Sequence, residues 1–457
     1  MNSLGSEFEI ALAKRRRPVA DYVSMEIPLE GTGRRLGVLL ASMAAAALMI
    51  FQAGHIWLAH HWLESDDVTL MERGAALVPG DGAGWDRVGR LRQWDFVHSD
   101  LSKAIAEYQK AVRDDPRSAH YWMDLASAYE AAGDTARAQD AYARAQAVYP
   151  LSAEVAFNYG NFLLREQDYA EAHKELRQAV RTDPTLLPLA ISRTWRSSED
   201  INQLLDQVLP ADADAYLQAL DFFGSTHNAQ PGLAVWQRLV ALGKPFPLVR
   251  TFAFLDELIR EDRAADASRV WIGALSAAGL PHEKPANGSV VWNGDFAGDF
   301  ANGGLGWRWN PYLAGVTFDI NPHAAPDGGR ALRLDFSGGS NIPLDSPFQY
   351  AAVEPNQSYR FHAYMRSQGI TTESGPRFSV TDPNHAGAIN VTTDNFIGSH
   401  SWTAVEADIA TGPDTHFLLV RLVRSPSRLF DNKLGGTAWI ADVLLIPSAA
   451  SAGQASR

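Results

Sequence analysis

A 14-residue segment recurs three times in this sequence, and each copy starts 34 residues after the last. The copies span 103–116, 137–150 and 171–184, and each ends in proline. All three carry a small, a large and a small residue at spacings of four and three: Ala104, Tyr108, Ala111; Ala138, Tyr142, Ala145; Ala172, Leu176, Ala179. This spacing defines one helix face. The small residues allow a neighbouring helix to approach, and the large residue fills the groove beside it.

A second apolar face precedes each copy, which indicates pairs of helices. Trp122, Leu125, Ala126 and Tyr129 precede the second copy, and an equivalent set precedes the third. Ahead of the first copy, the set that begins at Trp85 is displaced by three residues. This displacement predicts a slightly longer turn inside the first pair. Each terminal proline ends the second helix of its pair.

These positions resemble the tetratricopeptide repeat, a helix–turn–helix unit of 34 residues. The resemblance covers 85–184 and implies a solenoid, because one unit cannot bury its apolar face alone. We read 60–84 as a linker with a degenerate half repeat, and 185–280 as diverged repeat-like helices or a separate helical bundle. The resemblance also implies that a protein partner binds in the concave groove. His120 and His173 have no partner at metal-ligand spacing, which favours a surface or packing role.

The N-terminal region contains a candidate membrane helix at residues 36–59. The stretch 36–54 has no charged side chain, and the extended run is long enough to cross the hydrocarbon core. Basic residues precede it, and Glu64, Asp66 and Asp67 follow. The positive-inside rule predicts a single-pass protein of the inner membrane, with a basic tail at 1–35 in the cytoplasm and the rest in the periplasm. A buried helix of a soluble protein and a cleaved signal peptide are the alternatives.

The composition excludes several classes of site. The formal net charge of −13 argues against a nucleic-acid partner, because phosphate binding requires a basic surface. The chain has no cysteine, which excludes disulfides, thiolate metal sites and a cysteine nucleophile.

The C-terminal part changes from a helical to a strand-like pattern. Residues 281–289 read as a linker, and over 290–447 short runs rich in valine, isoleucine and aromatic residues alternate with turn residues. This pattern predicts an antiparallel β-sandwich. Residues 448–457 are expected to form a disordered tail. The predicted fold class is therefore a multidomain chain with one transmembrane helix, an all-α solenoid and a C-terminal all-β jelly-roll-like sandwich.

The motif order of this region resembles the jelly-roll carbohydrate-binding modules attached to bacterial glycanases. It opens with WNGDF at 292–296, reaches GWRW at 306–309 and closes on WIADV at 439–443. The resemblance implies glycan binding and a structural calcium, with Asp295 and Asp442 as the remaining ligands. Two acids of the family pattern are replaced, by Ala297 and Ala441. Since calcium prefers six to eight oxygen ligands, these replacements weaken the calcium prediction.

Five residues are candidates for carbohydrate binding, because aromatic rings cover the apolar faces of sugars and arginine binds anionic groups with a planar donor fork. Trp309 and Tyr312 follow the core-like Trp307. Tyr364 shares a strand face with a histidine and an arginine. Arg421 lies on the strand face that points away from the predicted core, and Arg377 shares a strand face with Ser379. The complete set is Trp309, Tyr312, Tyr364, Arg377 and Arg421.

The sequence carries no nucleophile-elbow, Walker, HExxH or dinucleotide motif, so we expect no catalytic activity. We interpret the chain as a membrane-anchored, non-catalytic adaptor of the bacterial envelope, which binds a protein through the solenoid and glycan through the sandwich in exopolysaccharide assembly or export. A pure protein scaffold, whose sandwich binds no sugar, and a glycan-active enzyme are the alternatives.

Overall fold

The computed structural model describes residues 31–78, 80–285 and 287–448. Most of the predicted basic tail at 1–35, and of the C-terminal tail at 448–457, lies outside these residues. The described part contains 14 α-helices followed by nine β-strands. Its contacts divide the chain into two compact units, 1–148 and 149–457. The all-α and all-β regions predicted from the sequence are confirmed.

The first unit begins with helix α1, Thr32–Leu63. Its most apolar stretch has a mean hydropathy of 2.0 and is wholly unburied, so α1 is long and apolar enough to cross a membrane. The last turn of α1 packs on helix α2, Val68–Leu77. A Cβ on Gly74 of α2 would lie 2.8 Å from the carbonyl oxygen of Ala59. The apolar helix and the first helical hairpin are therefore joined by direct backbone contact.

Two repeat pairs follow in the same unit. They consist of α3 Gly82–Trp94, α4 Leu101–Asp114, α5 Ala119–Ala131 and α6 Thr135–Val148. Ala104, Tyr108 and Ala111 are fully buried, as their spacing predicts. A Cβ on Gly89 would lie 2.7 Å from the Tyr108 ring, so the absence of a side chain admits the ring. The repeat prediction is confirmed for these pairs.

The first pair also has the longer turn that its displaced pattern predicts. Six residues, 95–100, connect α3 to α4, whereas three residues, 132–134, connect α5 to α6. In the longer turn, the Asp95 carboxylate accepts the backbone N–H groups of Val97 and His98. The Asp100 carboxylate then caps the N-terminus of α4 through the N–H of Lys103.

The second unit opens with a further helical region, whose pattern becomes less regular along the chain. Its helices are α7 Ala153–Arg165, α8 Tyr169–Thr182, α9 Leu187–Ser198, α10 Ile201–Gln203, α11 Ala213–Ser225, α12 Ala229–Ala241, α13 Phe252–Arg260 and α14 Ala264–Ala277. A π-helical turn, Leu204–Val208, directly follows α10. Apolar faces with buried residues continue through α14, which accounts for the helical pattern over 185–280.

The β-region of the second unit forms two antiparallel sheets. The strands are β1 Val316–Asn321, β2 Ala331–Ser337, β3 Phe348–Ala352, β4 Ser358–Ile370, β5 Arg377–Thr381, β6 Asn390–Thr392, β7 Gly398–Ala410, β8 Phe417–Val423 and β9 Gly435–Pro447. The five-stranded sheet has the order β1-β2-β9-β4-β7, and the four-stranded sheet has the order β3-β8-β5-β6.

Side chains from both sheets share one core. Phe361 of β4 and Phe378 of β5 meet with ring centroids 5.0 Å apart. On β8, the predicted inward residues Leu418, Val420 and Leu422 are fully buried in this core. The alternation along β8 therefore turns Arg421 to the outer face of the four-stranded sheet.

Helices α13 and α14 contact the sandwich directly. Arg308, which precedes β1, forms an ion pair with Asp256 of α13. Asp262, which follows α13, accepts a hydrogen bond from the Asn384 side chain at 2.9 Å and contacts His416 Nδ1 at 2.7 Å. Trp271 of α14 meets Trp292 edge to face, with centroids 6.3 Å apart. The predicted linker at 281–289 thus connects two parts that pack against each other.

Candidate functional site

The structure distributes the five carbohydrate-binding candidates over three places in the sandwich. Arg377 and Arg421 lie on the outer face of the four-stranded sheet, on β5 and β8. Tyr364 lies on the outer face of the five-stranded sheet, on β4. Trp309 and Tyr312 lie in the segment before β1. A single ligand surface built from all five is therefore not present, and each place has to be judged by itself.

The outer face of the four-stranded sheet brings together aromatic, hydroxyl and guanidinium groups. Arg421 lies opposite Phe348 on β3 and opposite Ser379 on β5. One row further along, Leu419 lies opposite Tyr350. We call this set of five residues the β8 face. Ser379 and Leu419 are buried, whereas Phe348, Tyr350 and Arg421 are half-buried. The two aromatic rings and the guanidinium group are therefore the parts of this face that a ligand can reach.

Arg421 leaves one donor of its guanidinium group unused. Its Nε is buried and has no hydrogen-bond partner among the described residues. Arg377 lies opposite Val423, the next outward-facing residue of β8 after Arg421. The β8 face is also adjacent to the helices, because Arg308 stacks over the Tyr350 ring at 5.1 Å and pairs with Asp256 of α13. An acceptor such as a carboxylate or sugar hydroxyl would satisfy the free Nε–H of Arg421.

Tyr364 belongs to a separate cluster on the five-stranded sheet. Tyr364 packs with Trp402 and with the buried Trp439. The guanidinium group of Arg366 lies 4.6 Å from the Trp439 ring centroid, and that of Arg333 lies 5.8 Å away. These two arginines cover the Trp439 ring, so the aromatic group is held by contacts within the chain.

Trp309 and Tyr312 differ in exposure. Trp309 is half-buried, stacks on Phe300 with centroids 4.7 Å apart and contacts Phe318 at 5.2 Å. Tyr312 is 90% exposed. Trp309 thus packs against the sandwich core, whereas Tyr312 projects from a loop.

The two calcium candidates lie near a third acid. Burial raises the pKa of Asp442, and the charges of Asp327 and Asp295 raise it further. The Asp295 carboxylate also accepts the backbone N–H of Ala297 at 3.2 Å. Among the acidic and histidine side chains that the structure describes, the group of three with coordinating atoms close enough for one ion lies elsewhere. Repulsion between these acids favours a cation, but three carboxylates fall short of a full calcium shell. Calcium remains a prediction.

In the helical part of the second unit, one stripe of α7 is not fully covered. Phe157, Asn161 and Arg165 follow one another at four-residue intervals on one helix face. Phe157 and Asn161 are half-buried and Arg165 is exposed, while Val155, Ala156 and Leu163 are buried. This α7 stripe offers an apolar, an amide and a cationic group on the first helix of its pair.

The first unit contains a polar cluster between α3 and α5. Asp86 of α3 is 1% exposed and forms an ion pair with Arg90 at 3.0 Å. Asp124 of α5 lies 3.9 Å from Arg90 and 3.5 Å from His120 Nε2. Burial, followed by the charge of Asp124, raises the pKa of Asp86 to about 7. Asp86, His120 and Asp124 have coordinating atoms within 4.8 Å of one another.

The structure corrects the prediction that His120 has no partner at metal-ligand spacing, because Asp124 follows it by four residues and lies 3.5 Å from its Nε2. The sequence also contained a second signal for this cluster. When Trp85, Val88 and Gly89 are aligned with Trp122, Leu125 and Ala126, Asp86 falls at the position of Met123. Met123 is buried in its own repeat. A carboxylate at a position that buries methionine in the next repeat indicates a special polar environment.

The family model of the tetratricopeptide repeat matches residues 96–138 and 124–186. The cytochrome c-type biogenesis protein CycH of Rhizobium meliloti (strain 1021) is 31% identical over 155 residues, which is 32% of this chain and 38% of that protein. The chain therefore matches less than two fifths of that relative's length.

Two solved structures also resemble parts of this chain. One is the first TPR of Spaghetti (RPAP3) bound to the HSP90 peptide SRMEEVD, with 20% identity and a TM-score of 0.24, covering 27% of this chain and 94% of that chain. The other is the MamA protein, with 14% identity and a TM-score of 0.23, covering 43% of this chain and 92% of that chain.

Proposed function

We propose that this protein is a membrane-anchored, non-catalytic adaptor of the bacterial envelope. Residues 36–59 anchor it in the inner membrane, residues 1–35 lie in the cytoplasm, and the repeats and the sandwich lie in the periplasm. The repeats bind a protein partner, and the sandwich binds a polysaccharide during its assembly or export.

The observation that carries the proposal is the direct packing of the apolar helix on the first hairpin. Helix α1 continues without a break from its apolar stretch to Leu63, where it contacts α2 through Ala59 and Gly74. A cleaved signal sequence would lose this contact. The continuity supports an uncleaved anchor that holds the repeats close to the membrane surface.

The protein-binding part of the proposal rests on the repeat match and on the α7 stripe. Stacked repeats form extended concave surfaces that bind partners. The test is a photo-crosslinking amino acid placed at Asn161 or Arg165 of the full chain in cells, with the exposed Lys174 on α8 as the control position. We expect one discrete adduct from the stripe and none from Lys174. Equal labelling from all three positions would contradict binding at the stripe.

The glycan-binding part rests on the β8 face, where the unused Nε–H of Arg421 lies among Phe348, Tyr350 and Ser379. An anionic sugar such as a uronate would supply the missing acceptor. The test is affinity electrophoresis of the full chain in gels that contain either an acidic or a neutral polysaccharide. We expect retardation by the acidic polymer, with loss of retardation in Arg421→Ala. Arg360→Ala is the matched control, since Arg360 lies on the other sheet and pairs with Asp408.

If neither polymer retards the protein, the scaffold alternative, in which the sandwich contacts only proteins, replaces the glycan proposal. A reducing-sugar assay on the same polymers tests the enzyme alternative. Release of sugar ends by the wild-type chain would contradict a non-catalytic role.

The similarity to CycH favours a second candidate function. That protein's name places it in cytochrome c-type biogenesis, and the match supports a role for these repeats in handling a protein during envelope assembly. Deletion of the gene, followed by haem staining of membrane proteins, tests this role. Loss of the stained c-type cytochromes, with rescue by the full chain, would favour it over the polysaccharide role.

A further inference from the structure

The polar cluster between α3 and α5 contains two buried carboxylate oxygens without donors. Asp86 Oδ1 and Asp124 Oδ2 each lack a hydrogen-bond partner within the part of the chain that the structure describes. Asp86 itself is 1% exposed. Burying a carboxylate oxygen without a hydrogen-bond donor is costly, because the oxygen loses its hydration. Asp124 Oδ2 gains only the more distant contacts with His120 at 3.5 Å and Arg90 at 3.9 Å. These two oxygens therefore indicate that the cluster is incomplete without a further positive group.

The imidazole of His120 adds a third metal ligand to the two carboxylates. His120 and Asp124 are four residues apart on α5, which places them on the same side of that helix. Asp86 approaches from α3, and the coordinating atoms of the three residues lie within 4.8 Å of one another. Two carboxylate oxygens and one imidazole nitrogen suit a divalent transition metal better than calcium or magnesium, which prefer oxygen alone.

We propose that Asp86, His120 and Asp124 bind a divalent transition metal, with Zn²⁺ as the ion that fits best. Three protein ligands leave one position of a tetrahedral Zn²⁺ shell for water. His120 is 48% exposed, so the ion has a path from solvent to the buried oxygen of Asp86. Because α3 and α5 begin consecutive repeats, the ion ties the first repeat to the second.

Arg90 is the group that competes with the ion. Its guanidinium group lies 3.0 Å from Asp86 Oδ2 and 3.9 Å from Asp124 Oδ2. Half of the Arg90 side chain is exposed, so it can turn into solvent when the metal enters. Removal of Arg90 should change the metal affinity in a direction that tests the proposal. Its removal takes away a positive charge, and we expect tighter metal binding rather than weaker binding.

The experiment uses the full chain in detergent micelles, without an affinity tag and after treatment with a chelator. Isothermal titration with Zn²⁺ at neutral pH measures stoichiometry and affinity, and Co²⁺ serves as a spectroscopic substitute. We expect one Zn²⁺ per chain and a visible absorption band from four-coordinate Co²⁺. Loss of a direct ligand in His120→Ala or Asp86→Asn should weaken binding by at least about tenfold, the minimum cost of removing even an outer-shell partner.

Two controls separate this cluster from other histidines. His98→Ala removes an exposed histidine that pairs with Asp95 but has no third ligand among the residues that the structure describes, and it should leave the Zn²⁺ affinity unchanged. His60→Ala with His61→Ala tests the exposed histidines at the end of α1. These variants should also retain the site.

Three results would overturn the proposal. The first is the absence of saturable binding. The second is binding that persists in both His120→Ala and Asp86→Asn, and the third is binding that disappears with the His60 and His61 pair. If Asp86→Asn raises the melting temperature of the metal-free chain and no Zn²⁺ binds, a proton shared by the two carboxyl groups occupies the place assigned to the metal.

Discussion

The repeat pairs and the sandwich achieve stability in opposite ways. In the first repeat pair, the central contact joins Gly89 and Tyr108, which lie on consecutive helices. In the sandwich, the buried Arg424 donates to Ser374 and Asn341, which are 50 and 83 residues away in sequence. The repeats depend on shape complementarity between neighbours, whereas the sandwich depends on a few polar side chains that join distant loops. Damage should therefore remain local in the repeats and spread across the sandwich.

Arg424→Ala provides the strongest test of this contrast. Arg424 is 2% exposed and hydrogen-bonds Ser374 O, Asn341 Oδ1, Ile342 O and Thr372 Oγ1. Its removal leaves buried acceptors without a donor, and we expect a loss of about 3–5 kcal/mol in the free energy of unfolding of the sandwich. Chemical denaturation followed by tryptophan fluorescence measures it.

The exposed Arg428 on the same loop serves as the control, and Arg428→Ala should change stability by less than about 0.5 kcal/mol. Equal losses in the two arginine variants would show that Arg424 is not a structural centre of the sandwich.

Asp382 is a second buried polar residue of the sandwich, and its contribution to stability should depend on pH. Its burial alone would raise its pKa, but hydrogen bonds from Thr415 and from the backbone N–H groups of His385 and Asn384 outweigh burial and lower the pKa. A lowered pKa contributes stability above the unfolded value, and this contribution is lost as pH falls below it. We expect Asp382→Asn to cost roughly 2–3 kcal/mol at pH 7.

The difference between wild type and Asp382→Asn should shrink as the pH falls below about 4, where the carboxyl group begins to take up a proton in the unfolded chain. Unfolding curves at several pH values measure it. A difference that stays constant down to the lowest pH would contradict the role of the ionised carboxylate.

Gly89→Val tests the repeat side of the comparison. The new side chain would collide with the Tyr108 ring, and we expect a cost of roughly 1–2 kcal/mol. Ala136→Val, at an exposed position of α6, adds comparable bulk without a collision. Hydrogen exchange should show the loss of protection in α3 and α4 alone. Equal loss of protection throughout the sandwich would contradict the local nature of repeat packing.

The smallest expected effect is the stabilisation of the sandwich by Ca²⁺. If Ca²⁺ relieves the repulsion among Asp295, Asp327 and Asp442, a concentration about four times the dissociation constant should add about 1 kcal/mol of stability. Thermal unfolding with Ca²⁺ and with Mg²⁺ measures it. The double variant Asp295→Asn, Asp442→Asn should remove the response to Ca²⁺. An unchanged response in that variant would place the ion elsewhere.

The contrast between the repeats and the sandwich also explains which structural features could be predicted from the sequence. The repeats were predictable because their packing follows a fixed period, and even the longer turn at 95–100 was visible as a displacement of three residues. Strands were predictable from alternation, including the inward set on β8. The pairing of β2 with β9 and the contact between α13 and the sandwich were not predictable, because they join residues far apart in sequence.

The candidate sites show the same limit. Strand alternation predicts that Arg421 points away from the core, whereas only the pairing of β5 with β8 in the structure places Arg377 on the same outer face. Tyr364 lies on the other sheet, and this separation was not predictable because alternation does not tell which sheet a strand joins. The half-buried position of Trp309 was not predictable, because its stacking on Phe300 depends on a loop that has no period.

The central claim is that α1 anchors the chain in a membrane and that everything after it lies outside the cytoplasm. Because the natural sequence has no cysteine, single cysteines report on topology without background. In intact spheroplasts, a membrane-impermeant maleimide should label Ser401→Cys at once and Ser6→Cys only after the membrane is dissolved. Labelling of Ser6→Cys in intact spheroplasts, with Ser401→Cys protected until lysis, would contradict the account.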